Sequence, residues 1–406
     1  MSQRLLIISS AFPPARAPES GHALFLCEHL ARAGVEVHLL TSKGNRFDGA
    51  LPPGVKIHAE IDQWDWKGLT KILYFIRSNR FETVLLIYID WIYQCHPMIT
   101  FLPTLARRWC GARMVVTQLE NENGLSGMQT SERSSARMMR RAMTGFAGWT
   151  DVHRSYGTLL RDSNRIIALS ARHLDAFAKA YPGVRAKAEI IPAPSFIRIP
   201  KEDALSARRR GREALRLQED EVAIIYYGFL YPLKGVETLI TAFSQLPGKT
   251  RLLIVGGTED SAYDRSLREL SEKAGRADHI LWLGHCDDEK SSLYLNTADI
   301  CALPFQVGVR LNNSSFAAAA THGLAIVTTR GEMLEEPFID GGNVRLCPPE
   351  NPAALAAAIK ELVDHPELRL RLRSGARRLA EEWFPADKVI SATLRALKVN
   401  DSLIRC

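Results

Sequence analysis

The 406 residues hold no CxxC pair, no cluster of histidines and cysteines at metal-ligand spacing, and no long apolar run. Each absence excludes a class of protein. The seven cysteines (Cys27, Cys95, Cys110, Cys286, Cys301, Cys347 and Cys406) are odd in number and scattered. That pattern argues for reduced thiols and against a disulfide framework or a zinc ribbon. The eleven histidines show no ligand spacing either, so neither a metal nor a cofactor is expected. The most apolar stretch, Thr83 to Leu105, is interrupted by Asp90, His96, Pro97 and Pro103. A spanning helix of about 20 apolar residues is therefore missing. The opening MSQRLLIISSAFPP is too short in its apolar part for a signal peptide and reads as a first buried strand, which makes the cytoplasm the expected location. No Walker loop, GxSxG or HExxH is present. No basic stretch interleaved with aromatics suggests a nucleic-acid partner.

What is present is a repeated rhythm. Short apolar runs alternate with helix-length amphipathic segments: Arg4–Ser9, then His22–Ala33, then Val35–Leu40 after Gly34. Further strands are expected at Thr83–Ile89, Arg113–Thr117 and Ile166–Ser170. The rhythm breaks at IIPAPSFIRIP, with its three prolines, and resumes at Ala223–Gly228, Arg251–Val255, His279–Leu283, Ile300–Pro304 and Ala325–Thr328. Repeated βαβ units imply two parallel sheets with helices on both faces. The expected division is residues 1–195, residues 196–385, and a C-terminal helix over 386–406 that crosses back onto the first domain. In such sheets ligands bind at the carboxyl ends of the strands. The loops after the strands are therefore where chemistry is expected.

Charge is unevenly placed. Residues 1–200 carry 25 Lys and Arg against 16 Asp and Glu, whereas the rest carries 27 against 29. A basic half attracts phosphorylated substrates or anionic lipid, although a solvated basic face is the plainer explanation.

Four loops stand out. In AFPPARAPESG, Ser20 and Gly21 open a helix whose backbone N–H groups suit a phosphate. In GFLYPLKG a strand ends at Gly228 and Lys234 sits just before a helix, an unfavourable place for a cation unless it serves an anion. Gly256 closes the next strand. In the third loop Arg310, Asn312, Asn313, Ser314 and Ser315 gather at a helix start. One or two of them are expected as caps; five exceed what a cap needs. In the fourth, QLENEN, Glu120 and Glu122 suit sugar hydroxyls or a base, or are simply solvated. Asp90 and His96 follow another strand, where a lone histidine is more often a capping or packing residue than a catalyst.

In combination these segments resemble the family-4-like retaining glycosyltransferases of the GT-B fold, over nearly the whole chain. LLIISSAFPP…SGHALFLCEHLARAGVEVHLLTS is similar to their opening strand, glycine loop and first helix. RIIALSARHLDAF, IIPAPSF, YYGFLYPLKGVETLITAF, LLIVGG, THGLAIVTT and GGNVRLCPPENPAALAAAI follow in the family's order. The resemblance implies an α/β fold of two Rossmann-like domains facing each other across a cleft. It implies transfer of a sugar from a nucleoside-diphosphate sugar, a substrate and not a cofactor, to a glycan, lipid-linked or small-molecule acceptor. Retention, independence of metal and a place in polysaccharide biosynthesis go with it. Lys234, Arg310 and Glu120 are the implied catalytic groups. Ser20, Gly21, Gly228, Gly256, Asn312, Asn313, Ser314 and Ser315 complete the donor set with Lys234 and Arg310. Asp90, His96, Glu120 and Glu122 form the acceptor set. A peripheral contact with the inner face of an anionic membrane is expected through the basic half, including RSSARMMRRAM at 133–143.

The chain also departs from the pattern. Aligned on Gly323, Arg310 and Ala318 occupy the places of the family's two glutamates. Phe229 replaces an arginine, and Glu120 stands at or beside a common histidine. These departures keep two alternatives open: a non-catalytic nucleotide-sugar-binding subunit, and a nucleotide-sugar epimerase.

Overall fold

The computed structural model describes residues 4–15, 17–45, 47–120, 153, 155–199 and 202–398. The chain forms two compact units. The first comprises residues 1–192 together with the chain from Val389 onward; the second comprises Ala193–Lys388.

The first unit has seven strands: β1 (Arg4–Ile8), β2 (Glu36–Ser42), β3 (Val55–Ile61), β4 (Thr83–Tyr88), β5 (Met114–Leu119), β6 (Arg165–Ala168) and β7 (Ala188–Ile190). They pair in parallel in the order β3-β2-β1-β4-β5-β6-β7. Leu5 to Ile8 and Val84 to Tyr88 are buried on both faces. That is why these strands read as continuous apolar runs without alternation. The edge strands are the ones the apolar runs do not reveal. β3, VKIHAEI, is mostly half-exposed, and β7 is three residues long.

The second unit has β8 (Val222–Tyr227), β9 (Thr250–Val255), β10 (Ile280–Gly284), β11 (Ile300–Leu303), β12 (Ala325–Thr329) and β13 (Arg345–Cys347). Their order is β10-β9-β8-β11-β12-β13, again parallel. Both sheets are doubly wound. Strand order reverses between β1 and β4 in one and between β8 and β11 in the other, and such switch points are where these folds take ligands.

Local chemistry sets the helix ends. The first helix, Pro18–Arg32, starts four residues before the apolar pattern does, because Pro18 suits its first turn and Glu19 complements its dipole. Asp65 caps the Trp66–Ser78 helix through the Gly68 N–H at 2.8 Å. Arg369–Lys398, a charged stretch whose sequence alone reads as one long helix, belongs to two: Pro366–Trp383 and Ala386–Ala396, broken at Phe384-Pro385. The second of these carries the chain from the second unit to the first, where Arg395 lies 3.6 Å from Glu189. Among the described residues no helix is long and apolar enough to cross a membrane.

Candidate functional site

The second unit concentrates its expected site residues at the β8/β11 switch point. β8 ends at Gly228, whose φ of +141° suits glycine. A Cβ placed on Gly228 would lie 3.5 Å from the Ser315 Cβ, so the strand end abuts the start of the Ser314–Thr321 helix. Gly256 ends β9 at φ +147°, and a Cβ there would stand 1.8 Å from the Gly228 carbonyl oxygen. Only glycine lets the two strand ends meet. The Gly228 N–H donates to Val255 O at 3.0 Å and the Gly256 N–H to Gly284 O at 2.8 Å, which carries the ladder one residue past the strands.

Lys234 is placed by a short turn, Pro232–Lys234, docked on the end of β11. The Gln306 N–H donates to Leu233 O at 3.0 Å, and Gly235 leaves no room for a side chain against Pro304 O, 2.1 Å from a would-be Cβ. The Lys234 ammonium lies 4.9 Å from the Phe305 ring centroid and 5.2 Å from that of Tyr231. Aromatic faces attract a cation through the ring quadrupole. The lysine is thus held beside the loop that leads to Arg310.

That loop, residues 306–313, is shaped by two polar side chains. The Asn313 Oδ1 accepts the Arg310 N–H at 2.8 Å. The Glu335 carboxylate, buried, accepts the Leu311 N–H at 2.6 Å. Asn313 therefore closes its loop and does not cap the helix it precedes. The helix N-terminus at Ser314 and Ser315 keeps its N–H groups and positive dipole end for another partner. The small-residue run Ala317–Ala320 is fully buried, which lets this helix sit close to its neighbours. Asn312 is half-buried in the same loop. Nearby, the Phe229 ring stacks on His285 with centroids 6.3 Å apart.

Glu335 was not among the residues that sequence reasoning selected. It follows β12, and a carboxylate in GEMLEEPF after a buried strand end was the available signal. Two expected carboxylate positions behave as their residues dictate: Arg310 belongs to the loop, and Ala318, 1% exposed, is sealed in the helix.

In the first unit the corresponding loops are occupied by their own side chains. Asp90 accepts the Trp91 N–H through Oδ1 at 2.8 Å and opens a short 3-10 turn. His96 accepts the Met98 N–H through Nδ1 at 3.2 Å and meets the Trp66 ring edge-on at 5.6 Å. Burial lowers the His96 pKa, so the ring is held neutral as the acceptor this cap requires. Both side chains thus accept a backbone N–H at the start of a short turn. Ser20 is buried in the first turn of the Pro18–Arg32 helix, its hydroxyl without a hydrogen-bond partner; Gly21 is half-buried beside it. Next to them His22, buried, has a pKa pushed down to about 4 by desolvation and takes a 3.3 Å contact from the Gln118 amide on β5. His22 and Gln118 join the helix start to the strand end just before Glu120, a pairing that a helical-face reading of His22 does not suggest. Glu120 is half-buried. Glu122 and the 133–143 segment lie outside the described residues.

Residues 207–379 match the family described as Glycosyl transferases group 1. This stretch, less than half of the chain, is a group 1 glycosyl transferase domain. A D-inositol 3-phosphate glycosyltransferase of Xylanimonas cellulosilytica is 28% identical over 238 residues, 57% of this chain and 54% of that protein. A glycogen synthase of Mycobacterium tuberculosis is 29% identical over 61% of this chain and 58% of its own. The chain thus spans little more than half the length of these curated relatives. Among solved structures, Anabaena HepE in complex with UDP and glucose superposes with a TM-score of 0.73 at 16% identity, covering 98% of this chain and 100% of that one. A sucrose-phosphate synthase from Thermosynechococcus elongatus gives 0.73 at 19% identity, covering 98% of both chains. At these identities the GT-B fold is the shared property. It agrees with the two parallel sheets read from the alternating pattern.

Proposed function

We propose that this protein transfers a sugar from a nucleoside-diphosphate sugar to a glycan, lipid-linked or small-molecule acceptor, with retention and without a metal. The observation that carries this reading is the uncapped helix N-terminus at Ser314, beside Gly228 and in the same switch point as Lys234 and Arg310. In the reaction the bond from the anomeric carbon to the diphosphate oxygen breaks and a bond to the acceptor oxygen forms. Negative charge grows on the departing diphosphate. Lys234, Arg310 and the Ser314 and Ser315 N–H groups are the stabilising set, fixed before the reaction starts. Gly228 and Gly256 let backbone approach the phosphates, with Asn312 and Asn313 completing the loop around them. Ser20 and Gly21 offer a second helix start to the donor. Glu120 is the proposed base for the acceptor proton, with Asp90, His96 and Glu122 on the acceptor side. The basic first half is the proposed contact with an anionic membrane at its cytoplasmic face.

The test is a thermal-shift screen against UDP-, GDP-, ADP- and dTDP-sugars, since a ligand that binds the folded chain raises its melting temperature. UDP-glucose is the first donor to try, because HepE has been solved with it. No shift with any donor would sink the reading. A second reading, a donor-binding subunit without turnover, is motivated by Ala318: a methyl group buried in the helix offers no contact in place of a carboxylate. Donor binding with turnover only beside a co-purified partner would favour it. Conversion of the donor with no acceptor present would point instead to an epimerase.

A further inference from the structure

The first unit has a polar cavity at the amino-terminal end of its strands, opposite the strand-end loops. Its volume is about 480 Å³, and Thr104, Arg107, Arg108, Ala112, Arg113 and Asp162 line it. The Arg113 and Met114 N–H groups both donate to Glu82 O at 2.9 Å, which fixes the cavity beside the amino-terminal ends of β4 and β5. Arg107 and Arg108 come from the last turn of the Leu102–Trp109 helix.

The charge in this cavity is not balanced from within. Asp162 is the carboxylate in its wall, and its two oxygens are already taken. Arg161 donates to Oδ1 through Nε and to Oδ2 through its terminal nitrogen, each at 2.8 Å, and the Thr104 hydroxyl donates to Oδ2 as well. Burial alone would raise the Asp162 pKa, but these donors and the charges of Arg161 and Arg107 hold it below the ordinary carboxylate value, so it is an anion already spoken for. Arg107 spends one N–H on Asp162 O at 2.8 Å, which pins its guanidinium to the wall. Among the described residues no carboxylate lies within ion-pairing distance of Arg107 or Arg108. Arg113 is 3.6 Å from Glu82 in a pair that is 80% and 61% exposed, a contact of little strength. The carbonyl end of the helix accounts for about half a charge. Three guanidinium groups exceed that by far.

We propose that this cavity is a phosphate-binding site, taking a phosphate group from a soluble phosphate ester or from a phospholipid headgroup. Arginine forks match phosphate oxygens two at a time, which lysine does not do. The cavity is roomy enough for the group and some of its water. Two aromatic side chains stand exposed nearby on the packed helices: Trp109, next in the chain to Arg108, at 63%, and Tyr74 at 74%, one residue from Leu73, whose carbonyl accepts from Cys110 Sγ at 3.3 Å. Tryptophan and tyrosine at such places suit the headgroup level of a membrane. The site does not depend on the transfer reaction, since it shares no residue with the strand-end loops.

The test uses the full chain and four variants: Arg108→Gln, whose exposed side chain holds nothing in place, Arg108→Lys, the triple Arg107→Gln/Arg108→Gln/Arg113→Gln, and Lys234→Ala. Inorganic phosphate is titrated by calorimetry at constant ionic strength, against chloride. Phosphatidylcholine vesicles with and without phosphatidylglycerol are used in co-sedimentation. The expected result is phosphate binding weakened about tenfold or more in the triple variant, with Arg108→Lys weaker than wild type but above Arg108→Gln. Sedimentation of wild type with the anionic vesicles, lost in the triple variant, assigns the phosphate to a lipid. Phosphate binding without sedimentation assigns it to a soluble ester. Equal responses of wild type and triple variant in both assays, or no response of wild type in either, overturn the proposal. The Lys234→Ala chain, run in parallel, separates this site from phosphate taken at the β8/β11 loops: the inference requires that its phosphate binding at the arginines persists.

Discussion

The two switch points of this chain are built alike and finished differently. At β1/β4 the loops are stapled together by their own groups. The Ser10 hydroxyl donates to Ile92 O, and the buried Tyr93 hydroxyl donates to Ile87 O at 2.6 Å. The loop after β1 is braced again from β2, where Ser42 and Asn45 donate to Ser10 O at 2.8 and 2.7 Å. At β8/β11 glycine replaces these side chains, and the one residue placed to cap the following helix is turned away from it. Loops braced by their own side chains hold a fixed shape, whereas strand ends lined by glycine backbone let a helix start meet an anion closely; neither the helix after β1 nor the one at Ser314 has a side-chain cap. The contrast agrees with the proposed division of labour, in which the β8/β11 loops face the diphosphate charge and the braced loops of the first unit hold the acceptor side in a fixed shape.

Four experiments break or sharpen that contrast. The largest effect belongs to Lys234→Ala. Turnover of the matched donor should fall about 10²–10³-fold, the usual loss when one preorganised charge-stabilising group is removed, with the melting temperature close to that of wild type. Near-normal turnover would remove Lys234 from the mechanism and the contrast with it.

Next is a pH effect confined to the first unit. Folded His22 stays neutral down to about pH 4, while the unfolded side chain protonates near its ordinary 6.5. Above 6.5 neither state takes a proton and this group's share of stability is complete. As pH falls from 6.5 to 4 the unfolded chain gains a proton that the folded one refuses, and about 3 kcal/mol is lost over that window. Urea unfolding across it should therefore be flatter in His22→Gln than in wild type; identical slopes would mean that His22 is not buried as described.

Glu335→Ala leaves the Leu311 N–H buried without its acceptor, a cost of about 2 kcal/mol. Because that bond shapes the loop before Ser314, donor affinity should drop in the variant, measured by titration, while acceptor KM holds. The smallest effect is that of His96→Ala: about 1 kcal/mol of stability from the lost cap, with kcat within about twofold. A clear rise in acceptor KM would support the proposed place of His96 on the acceptor side, and an unchanged KM would leave it the cap alone.

The α/β architecture was legible because buried parallel strands are continuous apolar runs, and residues such as Leu5–Ile8 and Ala223–Tyr226 have no other way to be read. β3 and β13 were not, because edge strands face water on one side and mix charge into their pattern. The position of the second unit's site was legible from strand-end logic: Gly228, Lys234 and the Arg310–Ser315 cluster do gather at one switch point. The direction in which Asn313 points was not, since an asparagine before a helix is compatible with capping either the helix or the loop. Glu335 was missed because its contact is with a backbone N–H 24 residues away, a relation that no local pattern records. The neutrality of His22 follows from burial against β5, and burial is a property of the tertiary fold alone.

The helix at Ala386–Ala396 has a consequence for how the chain is made. It hands Val389, Ile390, Leu394 and Leu397, all buried, to the first unit. The ribosome therefore delivers most of that unit early and its closing apolar stripe after the whole second unit has emerged. For that interval the earlier unit waits with a patch uncovered, while the later one already has every residue it needs. Synthesis order and completion order are reversed, and a nascent chain stopped at Lys388 would expose the unit that left the tunnel first as the vulnerable one.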